Sequence, residues 1–480
     1  MPGVKVNFFY SSILTTANYL FPLLTFPYVT RVLGVTNIGT VNFVDSIINY
    51  FVLASMMGIN IVGIREVAQS KGDKERLSQT FSGLFWLNTL TTALALAVLA
   101  VATLCIDKLW AHWHLMLIGA LKLVMNYMLI EWLYRGLEEF RYITVRTVLV
   151  KTVYVVSVFV FVRQADDYPV YYFLSVMMIV VNSLVNLAYS RHYVSLKCRH
   201  VNVFRYVKPY FILGTYTLLT SMYIFVNVSW LGFTCGEQEV GYYTTASRLY
   251  DILIAVFTGL TGVMLPRMSS LLAEGKIDEF KTKLVKANNV LFAFAIPLVL
   301  FTVINAPSII YVIAGAGYEG AILPMRIMMP LILVIGYEQI LVMQTLMPLK
   351  KDKAVLRNSI AGAVTGLLLN VLLISRYASA GASLVWGISE MVVLCCAQYY
   401  VVKYVSVGFP WRDFLSHVMV CIPLAVGLLL LHSLLSGLTA FVISCIFAAV
   451  YFVVCNLYIK RNEEFVGAIR SLQSLRSKWT

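Results

Sequence analysis

Apolar residues run along this chain in long stretches, and polar residues gather in short ones between them. A hydrocarbon core of about 30 Å takes about 20 helical residues to cross. Breaking the apolar runs at charge and Gly/Pro clusters leaves fourteen stretches of roughly that length. Their limits are 8–32, 38–64, 81–106, 111–135, 142–162, 169–190, 210–233, 239–266, 287–306, 322–348, 355–375, 380–402, 415–435 and 437–459. The pattern predicts an all-α polytopic membrane protein with about fourteen transmembrane helices. The runs are too long for the ~10-residue alternating strands of a membrane barrel. The first, about Val6 to Leu33, is also too long for a signal peptide and reads as a retained first span.

Composition narrows the class further. The chain is 60% hydrophobic and only 12% charged, against about 25% charged residues in soluble domains. So few charges cannot cover the surface of a soluble enzyme or sustain a disordered chain. The eight cysteines form no CxxC pair and sit mostly in apolar runs, which excludes a metal framework or a disulfide scaffold. No metal site or cofactor is expected. Histidines are scattered near span ends, without metal-ligand or nucleophile–base spacing.

The net charge of +14 would suggest nucleic acid in a soluble protein. Here it is explained by topology, because cytoplasmic loops accumulate Lys and Arg. With the N-terminus inside, the inside segments hold 30 of the 37 cations, counting the connector 135–151 among them. The outside connections hold Arg31, Lys108, Arg163 and Arg376. Both termini are therefore predicted cytoplasmic, and no nucleic-acid partner is expected.

Two stretches repeat. Leu33-Gly34, a short outside turn and Ile38-Gly39 correspond to Leu231-Gly232, a turn and Val240-Gly241. The spans that follow both end in basic connectors, around Lys71 to Arg76 and Lys276 to Lys283. This predicts two six-helix lobes, 1–205 and 206–405, with 406–480 adding two transmembrane helices and a basic cytoplasmic tail. Parallel repeats recur in transporters, with the substrate site between the halves.

Polar residues inside spans carry the functional signal, since each ionisable group costs a few kcal/mol at bilayer depth. Asn18 lies in the first span, and Asn42, Asp45 and Asn49 share one face of the second. Thr217 lies in the seventh span, and Thr244, Arg248 and Asp251 in the eighth. Three cations lie within spans: Lys122, Arg248 and Arg326, with Arg31 at an outer end. Fixed positive charge suits a phosphate headgroup. The alternatives are an Arg248–Asp251 pair within one helix, and snorkelling of Lys122 and Arg326 to an interface. Asp45, Glu338 and Glu390 are candidates for binding a coupling ion, H⁺ or Na⁺.

Several motifs resemble the polysaccharide-type, Wzx-like flippases of the multidrug/oligosaccharidyl-lipid/polysaccharide exporter superfamily. They are Phe26-Pro27-Tyr28-Val29-Thr30-Arg31-Val32-Leu33-Gly34, Gly63-Ile64-Arg65-Glu66, Glu131-Trp132-Leu133-Tyr134-Arg135-Gly136, Val240-Gly241-Tyr242-Tyr243 and Leu265-Pro266-Arg267. The match spans about residues 5–405, and the Glu131–Gly136 stretch is its most specific part. The resemblance implies a pair of lobes alternating between inward- and outward-open states. It implies transport of undecaprenyl-pyrophosphate-linked oligosaccharide across the bacterial inner membrane, for O-antigen, capsule or exopolysaccharide. Membrane lipid, and the polymerase and chain-length proteins of such a pathway, are the expected partners. Related lipid II flippases use cavity arginines for the pyrophosphate and a groove at the last helices for the lipid tail. Arg31 stands in an outer-end motif shared with the family, and the resemblance implies that Arg248 and Arg326 fall in spans that line the cavity; Glu338 and Glu390 stand outside the matched motifs.

Two other readings compete. A cation-coupled multidrug exporter of the same superfamily expects an acidic cavity, whereas the charges within these spans include three cations. A membrane-embedded polysaccharide polymerase expects a catalytic loop outside the bilayer, and every outside connection here is short.

Overall fold

The computed structural model describes residues 4–196, 203–435 and 437–459. Among them every regular element is helical. The helices are α1 (Val4–Met56), α2 (Ile59–Gln69), α3 (Lys74–Cys105), α4 (Asp107–Trp110), α5 (Trp113–Tyr127), α6 (Glu131–Leu137), α7 (Phe140–Phe161), α8 (Tyr168–Ser190) and α9 (Phe204–Cys235). They continue as α10 (Glu237–Ala273), α11 (Ile277–Ile304), α12 (Ala306–Ala314), α13 (Ile322–Met328), α14 (Leu331–Leu341), α15 (Asp352–Leu369), α16 (Ser375–Val405), α17 (Trp411–Leu434) and α18 (Gly437–Val454).

Ten helical segments among the described residues are long and apolar enough to cross a membrane, so the chain is a polytopic helical membrane protein. Two of them, Tyr10–Gln69 and Asp352–Val405, run 60 and 54 residues, far beyond one crossing. Each contains a break in helical geometry. In α1 it is Gly34 (φ 75°), a left-handed conformation that glycine adopts without a Cβ clash. In α16 it is Ala378 (φ 46°). The chain thus turns between its first two apolar stretches at a single residue, where the sequence suggests a short loop.

Packing divides the chain into two compact units. One is Met1–Thr244 with Leu367–Ala382, and the other is Thr245–Gly366 with Ser383–Thr480. The lobe limits expected at 205 and 405 follow the repeat, whereas these units follow packing. The first unit takes in α9 because Gly232 and Gly214 bring that helix against Phe43 and Met57. A Cβ on Gly232 would come within 2.1 Å of the Phe43 ring.

A buried core of the first unit forms around the Glu131–Gly136 motif. The short α6 is bounded by two left-handed residues, Ile130 (φ 40°) and Glu138 (φ 65°). That geometry drives Trp132 inward, where it stacks on Phe81 at 5.7 Å and covers Gly63. The Tyr134 hydroxyl donates to the Asn186 backbone carbonyl. The most specific sequence motif is therefore a packing hub. In the second unit, Phe292 of α11 is surrounded by Tyr337, Phe409, Phe414 and His417 and ties α11 to α14 and α17.

Candidate functional site

The polar residues of the second span meet specific partners. On α1, Asp45 and Asn49 lie one turn apart, with the Asn49 amide donating to Asp45 at 3.0 Å. Lys122 of α5 donates to Asp45 at 2.6 Å and to Asn49 at 2.9 Å. Tyr172 of α8 donates its hydroxyl to the same carboxylate at 3.1 Å. Lys122 therefore meets an acid within the bundle instead of snorkelling to an interface. Its side chain is 14% exposed and that of Asp45 27%, so the pair is only partly dry. A carboxylate that also accepts from an amide and a phenol is well compensated for leaving water.

Next along α1, the Ser46 and Ser229 hydroxyls lie 2.8 Å apart, and Asn42 donates to the Thr244 hydroxyl at 3.2 Å. Asn42 and Thr244 each stand three residues after a repeat-related glycine. Those glycines meet as well. A Cβ on Gly39 would fall 1.7 Å from the Glu237 carbonyl oxygen, and one on Gly241 would fall 2.2 Å from the Val35 carbonyl oxygen. Val35 and Glu237 each stand four residues before their glycine, so the contact is reciprocal. Lys108 caps this junction. It pairs with Glu237 at 3.2 Å and lies over the Phe43 ring, and His112 sits 3.6 Å from the same carboxylate.

A second polar group holds residues the sequence reading missed. Lys151 lies in the middle of α7, not in the connector with which it was counted, and donates to Asn18 of α1 at 2.6 Å. Arg146, also on α7, pairs with Glu131 at 2.7 Å and donates to Asn186. The apolar run 142–162 already contained both cations; charge counting had hidden them.

In the second unit, Arg248 and Asp251 stand exposed on α10. Arg326 is exposed on α13 and donates to the Val303 carbonyl at 3.2 Å. Glu390 of α16 is 4% exposed and accepts from the Trp386 indole at 3.0 Å. The carboxyl group of Glu338 of α14 is its neighbour, which brings together two acids chosen separately. Arg31 is exposed on α1. The Thr217 side chain and the tail beyond 459 lie outside the described residues. The second unit also contains an apolar cavity of about 490 Å³. Leu253 and Phe257 of α10, Phe294, Pro297 and Phe301 of α11, and Phe452 near the end of α18 line it.

Comparison with known proteins decides the family. The polysaccharide biosynthesis protein family matches residues 4–272, more than half of the chain. The chain belongs to this family. Two curated relatives extend the likeness into the second half. The putative O-antigen transporter of Escherichia coli (strain K12) is 25% identical over 399 residues, 82% of this chain and 95% of the relative. That of Shigella dysenteriae is 24% identical over 400 residues, 82% of this chain and 98% of the relative. Among solved structures, the lipid II flippase MurJ in an inward closed conformation superposes with a TM-score of 0.76 at 12% identity, over 95% of this chain and 99% of that one. An inward-facing MATE multidrug transporter of the MOP superfamily gives a TM-score of 0.64 at 15% identity, over 81% and 94%. At such identities the structures show a shared fold. The resemblance read from the sequence motifs is thus confirmed at family level, and the named relatives are transporters.

Proposed function

We propose that this chain is a flippase for lipid-linked oligosaccharides. It moves undecaprenyl-pyrophosphate-linked repeat units across the bacterial inner membrane by alternating access, with both termini cytoplasmic. The observation that carries the reading is a pair of opposite chemistries in a family member whose relatives are named O-antigen transporters. One is the set of cations held on helices, Lys122, Arg248, Arg326 and Arg31. The other is the largely apolar lining of the 490 Å³ cavity, which suits a prenyl tail. The cations would meet the pyrophosphate, and the hydroxyls and amides around Asn18, Asn42, Thr217 and Thr244 would meet sugar hydroxyls.

Asp45 suits the coupling role. A proton or Na⁺ arriving at its carboxylate would free the Lys122 ammonium for the headgroup, so that ion binding and substrate binding change together. The Glu338–Glu390 contact is the observation that favours the alternative, a cation-coupled multidrug exporter.

Complementation separates the two. In a strain deleted for its own flippase, the wild-type gene should restore surface polysaccharide. A K122E/R248E variant present at equal membrane level should not. Unchanged polysaccharide in that variant, or rescue of drug resistance in its place, would overturn the reading.

A further inference from the structure

Lys151 is placed where a membrane protein rarely leaves a lysine. It is near the midpoint of the 22-residue α7. The exposed apolar residues Val145, Leu149, Val153, Val156 and Val160 form one stripe along that helix. At 3.6 residues per turn, Lys151, two positions after Leu149, points to the opposite side. Its side chain is partly exposed there. An ammonium at this depth, turned from the lipid-facing stripe, faces the bundle interior or a water-filled cavity.

Among the described residues Lys151 makes no ion pair. The contact with α1 is to a neutral amide, Asn18. Glu131, the acid of this polar group, pairs with other cations. Both Glu131 oxygens are already engaged, Oε1 by Arg146 at 2.7 Å and Oε2 by Arg135 at 3.5 Å. This polar group therefore holds three cations, Arg135, Arg146 and Lys151, and one acid. Lys122 differs, because Asp45 balances it.

Asn18 adds direction. An ammonium has only donors, so the Asn18 oxygen accepts from Lys151 and its NH₂ group remains a donor. Ammonium and amide thus set N–H donors side by side on neighbouring helices, with Asn18 exposed.

We propose that Lys151 and Asn18 form an oxyanion subsite that takes the phosphate of the lipid-linked headgroup. The proposal rests on the flippase reading and adds to it the residues that receive the phosphate in the first unit.

The full chain in nanodiscs tests it, with farnesyl pyrophosphate, inorganic pyrophosphate and farnesol as probes of tryptophan fluorescence. K151M should weaken farnesyl pyrophosphate about tenfold or more, the size of one charge-assisted hydrogen bond. K151R should stay within about threefold of wild type because the charge and donors remain. N18D should match K151M, since it sets a carboxylate against the ammonium, and it keeps the side-chain volume if K151M fails to fold. Farnesol binding should not change. Inorganic pyrophosphate binding as tightly as the prenyl form would reassign the subsite to a free anion and overturn the lipid source. If wild type, K151M and N18D all bind farnesyl pyrophosphate alike, the subsite is wrong and the flippase reading stands. If wild type binds none, both fall.

Discussion

Gly39 and Gly241, related by the internal repeat, pack backbone against backbone. The position of a Cβ on Gly39 lies 2.8 Å from the Gly241 amide nitrogen as well as 1.7 Å from the Glu237 carbonyl oxygen. The repeat thus ends in a junction that only glycine permits, and its closeness sets the alignment of Asn42 with Thr244 and of Lys108 with Glu237.

Adding a methyl group there should be costly. G39A and G241A must each push backbone apart, and overpacking of this kind costs about 1–3 kcal/mol. Both should lower the melting temperature in detergent, with a larger fall for G39A. G408A, where a Cβ would meet nothing within 4 Å, should leave it unchanged. Equal melting of all three would disprove the tight junction.

The Asp45–Lys122 pair predicts a non-additive pattern. D45N or K122M alone leaves a charge in the bundle without its partner, which costs about 3–5 kcal/mol where the pair is fully buried and less here. The double variant removes both charges and should melt above either single one. A double variant no more stable than the singles would show that the pair does not hold the helices.

Trp132 should matter to stability more than to transport. W132A empties the space between Phe81 and Gly63, and such deletions cost about 3–5 kcal/mol. Membrane level should fall sharply. W132F keeps the stack and should keep both level and transport; loss of transport at normal level in W132F would instead give the motif a direct role.

The apolar cavity predicts a chain-length effect. A448F places a ring among Phe257, Phe294 and Phe452. Transport of a long prenyl substrate should decline while a short prenyl analogue is moved as before. An equal decline for both would remove the tail from this cavity.

Topology can be read chemically. In a cysteine-free background, Cys at Asp166 should react with an impermeant maleimide on intact spheroplasts, and Cys at Lys71 only after permeabilisation. The reverse result would invert the orientation drawn from loop charge.

The hydrophobic pattern determined that this chain is a bundle of membrane helices, because a bilayer accepts few other solutions and dictates their length. The motifs determined the family. The repeat was legible in Gly39 and Gly241, since close backbone approach tolerates no other residue. Polar positions such as Asp45 and Asn49 were legible too, because their spacing places them on one face. Their partners were not. Lys122 stands 77 residues from Asp45, and Tyr172 stands 127 away. No periodicity reports which helix lies opposite. Tertiary packing alone decided that Lys122 is balanced, that Lys151 belongs inside a helix beside Asn18, and that Trp132 is a wedge against Gly63. A side chain's charge is written in the sequence, but whether that charge is answered depends on which helix packs against it.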